Sequence, residues 1–127
     1  MDIMKIIMVG IGGFAGSVSR YLVSLLSAEL IKTQLIPYDT LIVNVTGCLM
    51  IGFLGGLLET RTIFNPEVRA LVIVGFLGGF TTYSTFGYEI LTIFRQGEMA
   101  AVFTHLVLHL VLGLGAVFFG LSLSRMV

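Results

Sequence analysis

Gly75-Phe76-Leu77-Gly78-Gly79-Phe80-Thr81-Thr82-Tyr83-Ser84-Thr85-Phe86 is the stretch on which the reading of this chain turns. It lies inside a long apolar run, 70–94, whose only charge before its end is Glu89. Adjacent glycines followed by Thr81, Thr82, Ser84 and Thr85 make a poor helix interior. Glycine carries a backbone entropy penalty, and short hydroxyl side chains compete for the backbone's own hydrogen-bonding groups. A helix broken near its middle is therefore expected. Non-helical backbone at mid-membrane is tolerated where protein buries it or where it lines a cavity. Carbonyls freed there suit a hard alkali cation, whereas hydroxyls and exposed N–H groups suit an anion. The plainer alternative, a continuous helix with a polar packing face, explains the run of hydroxyls poorly.

Three more apolar runs flank this one, at 3–26 (interrupted by Lys5 and Arg20), 40–58 and 99–123. A helix rises about 1.5 Å per residue and the hydrocarbon core is about 30 Å thick, so about 20 residues cross it and each run is near that length or beyond. Of 127 residues, 57% are hydrophobic and 11% charged, which excludes a water-soluble fold. The expected fold is all-α and integral to the membrane: one domain, 1–127, of four transmembrane helices with the third broken. The connections are short and polar and leave no room for a separate extramembrane activity. The first run carries Arg20, lacks a small-residue cleavage site and is too long for the apolar part of a leader, so it reads as a span.

Cys48 is alone, so neither an internal disulfide nor a Cys-x-x-Cys metal site is expected. Net charge is zero and basic residues do not cluster, so nucleic acid is not an expected partner. No nucleophile is paired with a base, and the chain is not expected to be an enzyme. Four spans place Lys5, Arg61, Arg69 and Arg125 on one side and Lys32 and Arg95 on the other, with Arg20 near that second end. So weak a bias is compatible with insertion both ways up and antiparallel pairing, or with one orientation set by these few charges. Four helices fill their own centre with side chains, so a permeation route is more naturally shared between subunits. Gly12 and Gly16, flanked by Gly10 and Gly13, and then Gly52 and Gly56, give the small-residue spacing that lets helices approach.

Polar groups within the spans mark candidate sites, because unpaired they are costly in lipid. Arg20 can snorkel to the interface or anchor a polar network. Asn44 offers two donors and an acceptor, for an anion or for a neighbouring helix. Tyr83 and Phe86, three apart, share a face on helix resumed after the break, with Glu89 on the same side. Their ring edges are weakly electropositive and can meet an anion without a full charge. His105 and His109 share a face of the last span. A pair at this spacing can bind a metal, but the other ligands such a site needs are missing, and a pore-lining or interhelical polar track is the better reading.

Taken together, Gly12-Gly-Phe-Ala-Gly-Ser-Val-Ser-Arg-Tyr21, Thr40-Leu-Ile-Val-Asn-Val-Thr-Gly47 and the 75–86 segment resemble the Fluc (CrcB) family of fluoride channels over essentially the whole chain. The resemblance implies a passive fluoride-export channel built as an antiparallel, dual-topology homodimer in a bacterial inner membrane. It implies two pores and a structural sodium ion at the dimer interface, held by backbone carbonyls of Gly78 and Thr81. It places Asn44, Tyr83, Phe86, Ser84 and Thr85 along the fluoride path and Arg20 near a vestibule. Glu89, His105 and His109 become members of a polar track. Two positions depart from the family's habit: Tyr83 stands where phenylalanine is common, which adds a hydroxyl donor, and Gly87 stands where a serine often follows Phe86. The alternatives are a small proton-coupled multidrug transporter, which would be expected to hold a carboxylate in its first span where this chain has Arg20, and a non-transporting assembly protein.

Overall fold

The computed structural model describes residues 2–31, 36–60 and 64–127, with Thr60 described by its backbone alone. Lys32 and Arg61, two of the charges weighed for topology, lie outside the described residues. All regular structure among the described residues is helical, and four helices are long and apolar enough to cross a membrane. Helix α1 is Ile3–Leu30, running past the expected end at Leu26, and α2 is Tyr38–Thr60. The third span is in two pieces: α3, residues 66–80, and α4, Tyr83–Arg95. Helix α5 is Met99–Ser124.

Local chemistry explains the ends. The Asn65 side chain caps α3 by accepting the Val68 N–H at 2.8 Å, and Pro66 follows where a missing N–H costs nothing. Between α4 and α5 the chain turns at Gly97, whose φ of +80° suits a residue without a Cβ. A small apolar cluster of Ile93, Ala101 and Val102, with Ile36 and Ile90 against it, closes that end.

Within α3, Ala70–Leu77 is wound as a π-helix, a wider coil that the sequence pattern did not announce. Helix α1 lies along it, and α2 lies along α5. Both pairs approach through glycine. A Cβ on Gly12 would strike the Leu71 carbonyl oxygen, and one on Gly16 the Phe76 carbonyl oxygen. On the other pair, Gly52 abuts the Val117 carbonyl, Gly120 the Leu49 carbonyl and Gly56 the Ser124 hydroxyl. Gly10, in contrast, faces open space.

The break changes the third span's neighbour. Before it, α3 rests on α1; after it, α4 rests on α5. Many large apolar side chains are exposed, among them Phe14, Phe103 and Phe118, as expected where the solvent is lipid.

Candidate functional site: the helix break and its polar string

Two threonines make the break. Thr81 ends α3, with its N–H and its hydroxyl both bonded to the Leu77 carbonyl, at 3.0 and 2.8 Å. Its ψ of 159° then throws the chain into extended conformation, which Thr82 continues at φ −150° and ψ 119°. Thr82 starts α4 as its N-cap: its Oγ1 accepts the Thr85 N–H at 3.3 Å and donates to Thr85 Oγ1 at 2.9 Å. The hydroxyl run thus replaces helical partners that the interrupted backbone has lost.

Side chains from α1 and α2 hold the break. Asn44 grips the Thr82 peptide on both sides, Nδ2 donating to Thr82 O at 3.0 Å and Oδ1 accepting Thr82 N–H at 2.9 Å. One amide N–H of Asn44 is left without a protein acceptor among the described residues. From α1, Arg20 Nη1 donates to the Thr81 carbonyl at 3.3 Å, so its guanidinium anchors the network. Gly47, three residues after Asn44, makes room for the Thr81 methyl group.

Beyond the break a second set of polar groups threads between helices. Thr40, 3% exposed, donates from Oγ1 to Glu89 Oε1 at 2.5 Å. The other carboxylate oxygen of Glu89 lies 3.3 Å from Nε2 of His105, which has no exposed surface. His109 Nδ1 is 3.1 Å from the His105 carbonyl, so the proton of that bond sits on Nδ1. His105 Nδ1 and His109 Nε2 are buried without a protein partner among the described residues. Phe86 packs on this pair, with ring centroids 4.3 Å from His109 and 5.4 Å from His105, and Tyr83 is 6.0 Å from Phe86.

Two open cavities flank the break, and Thr82 lines both. One, of about 400 Å³, includes Asn44, Cys48, Gly78, Thr81 and Tyr83 in its wall. The other, of about 280 Å³, is lined by Ser17, Arg20, Ser24, Asp39, Thr40 and Thr85 among others. Ser84 is exposed, its hydroxyl 3.5 Å from that of Thr82.

The structure thus brings Asn44, Arg20 and Thr81 together at the break, and Glu89, His105, His109 and Phe86 together beside it. Thr40, Thr82, Ser17 and Ser24 were missed as individual site residues. Their signal was spacing: Thr40 is four before Asn44, and Ser17, Arg20 and Ser24 recur at helical intervals on α1.

A lipid-facing four-span bundle, with a broken span and a string of polar groups through its interior, defines a small multi-pass membrane transport protein. The chain belongs to the CrcB family: residues 7–121 match the family described as CrcB-like protein, Camphor Resistance (CrcB). Among its relatives is a protein of Chlorobium phaeobacteroides (strain BS1) named Fluoride-specific ion channel FluC, 39% identical over 121 residues, or 95% of this chain and 93% of the relative. A protein of Chlorobaculum tepidum with the same name is 40% identical over 126 residues, covering 99% and 98%. A third, from Maridesulfovibrio salexigens, is 37% identical over 123 residues, 97% of each chain. Membership in this family, whose named relatives are channels, replaces the multidrug-transporter and assembly readings.

Proposed function

We propose that this chain is a non-enzymatic, fluoride-selective channel that lets fluoride leave the cell passively. The observation that carries the reading is the polar string Thr40–Glu89–His105–His109, capped by the Phe86 ring and abutting the helix break. Relatives matching the chain almost end to end and named as fluoride-specific channels supply the ion.

Fluoride is small and strongly hydrated, so a selective path must replace its water with many donors yet hold it by no fixed net charge that would trap it. Asn44 has one N–H to spare, and Thr85 brings a hydroxyl to the wall of the cavity that holds Arg20. Phe86 offers ring edges next to two imidazoles, and the Tyr83 phenol stands exposed nearby. Both oxygens of the Glu89 carboxyl are engaged by protein partners, Thr40 and His105. A membrane potential, negative inside, drives fluoride outward with about 2.3 kcal/mol per charge per 100 mV.

The working unit in this reading is an antiparallel homodimer in a bacterial inner membrane. Exposure of Gly78, Tyr83 and the cavity between them on a single chain supports a second copy seated there. A structural sodium ion fits the donor set of that face. Gly78 and Thr81 offer uncharged carbonyl oxygens, and the Thr82 N–H that a continuous helix would place on the Gly78 carbonyl is committed to Asn44. Bound between two copies, sodium would supply positive charge that ties their backbone carbonyls together.

The test is fluoride efflux from liposomes holding the purified protein, started with a potassium ionophore and read with a fluoride electrode, with chloride followed in parallel. Fast fluoride release with chloride retained is expected. Folded dimer that releases no fluoride, or that releases both halides alike, would overturn the reading.

A further inference from the structure

Accounting for the carbonyls at the break gives Asn44 a second task. In an uninterrupted helix the Gly78 carbonyl would accept the N–H of Thr82, four residues on. That N–H is instead bonded to Asn44 Oδ1 at 2.9 Å, while Asn44 Nδ2 holds the far side of the same peptide through Thr82 O. Gly78 is exposed, and among the described residues no backbone N–H outside its own helix reaches its carbonyl. Among the described residues the Thr81 carbonyl is engaged by Arg20 Nη1 alone, at 3.3 Å, and a carbonyl has a second lone pair. Gly47 completes the seat: a Cβ there would collide with Thr81 Cγ2, so α2 receives Thr81 through a glycine and Thr82 through an asparagine one turn earlier.

We propose that Asn44 is the positioning residue of the cation site: by capturing the Thr82 N–H it keeps α3 from winding on over Gly78, and so keeps the Gly78 and Thr81 carbonyls available to sodium. The inference rests on the sodium reading above and adds a physical link to it. Thr40 and Asn44 occupy successive turns of one α2 face, and the first holds Glu89 while the second holds the break. The anion string and the cation carbonyls are therefore set by the same stretch of helix, which couples the two without any direct contact.

The experiment is thermal unfolding of the detergent-solubilised dimer across a sodium titration, with N-methylglucamine keeping ionic strength constant and lithium and potassium as comparison cations. A merely structural role for Asn44 would lower the melting temperature equally at every sodium concentration. The positioning role moves the midpoint of the sodium dependence. For Asn44→Ala we expect a midpoint raised about tenfold or more, equivalent to about 1.4 kcal/mol. Asn44→Asp, which still accepts the Thr82 N–H, should keep a midpoint close to that of the unaltered chain or tighten it. Phe86→Ile, which lies in the proposed anion path and removes neither Asn44–Thr82 bond, should keep it as well.

An Asn44→Ala dimer with an unaltered midpoint would overturn the inference while leaving the sodium reading standing. If Asn44→Ala does not fold, Asn44→Asp decides: a midpoint weakened tenfold there overturns the inference, and a retained one supports it. Unaltered protein indifferent to sodium would overturn the sodium reading, and the inference with it.

Discussion

At the residue scale the polar groups fall into two kinds, those that hold backbone and those that hold each other. Asn44, Arg20, Thr81 and Thr82 hold backbone; Thr40, Glu89, His105 and His109 hold each other. For the second kind, losing one member strands another. Glu89→Ala would leave His105 buried with neither ring nitrogen paired. We expect it to destabilise the fold by about 1–2 kcal/mol, the scale of interhelical polar bonds in membranes, with Glu89→Gln milder because an acceptor oxygen remains. Unfolding in mixed detergent micelles checks the order of the two variants. Phe86 is different in kind, since its ring touches both imidazoles without bonding. Phe86→Ile keeps apolar bulk and removes the ring edge, so it should abolish fluoride efflux while leaving the dimer intact on size exclusion; near-normal efflux would remove the aromatic role.

At the scale of elements, glycine placement decides which helices can touch. Gly12 and Gly16 admit the backbone of α3, and Gly52 and Gly120 serve the α2–α5 contact. Gly16→Val should cost about 1–3 kcal/mol through overpacking against the Phe76 carbonyl. Gly10→Ala, at a helical position facing open space, should be neutral or stabilising by up to about 1 kcal/mol. Equal losses in the two would show that spacing alone, rather than contact, governs these helices. The break is itself an element with a purpose in packing. Because α3 follows α1 and α4 follows α5, one span joins the two helix pairs and carries Phe86 and Glu89 to the histidines. Gly47→Ala should disturb the break directly by pressing on Thr81, and lower efflux without touching any polar group; unchanged efflux would show that the Thr81 seat tolerates a methyl group.

At the scale of the whole molecule, the proposed channel is shared between two copies. Its break opens into cavities on the surface, Gly78 and Tyr83 stand exposed, and Tyr83 is 85% accessible. In the proposed antiparallel dimer the second copy would cover that face. If so, biasing insertion should reduce activity. Adding two lysines to the segment between α2 and α3 is expected to push the chain toward one orientation and lower efflux per molecule, with recovery when an oppositely biased version is co-expressed. Full activity from a chain shown by site-specific labelling to insert one way only would remove the dual-topology reading.

Hydropathy alone determined that there are four spans, because twenty apolar residues in a row have no other stable solvent than lipid. The 75–86 segment alone announced a break, because paired glycines and clustered hydroxyls oppose a helix wherever they stand. Spacing put Tyr83 with Phe86 and His105 with His109, since neighbours on one helix need no tertiary information. What the sequence left open was every pairing between helices: Asn44 with Thr82, Arg20 with Thr81, Thr40 with Glu89, Glu89 with His105. It also left open the π-wound turn of α3. Asn44 could equally have faced an ion or a helix, and its chemistry is the same in both. Only the packing of α2 against the break decided that most of its amide is spent on Thr82, because which donor meets which acceptor depends on distances between segments far apart in the chain.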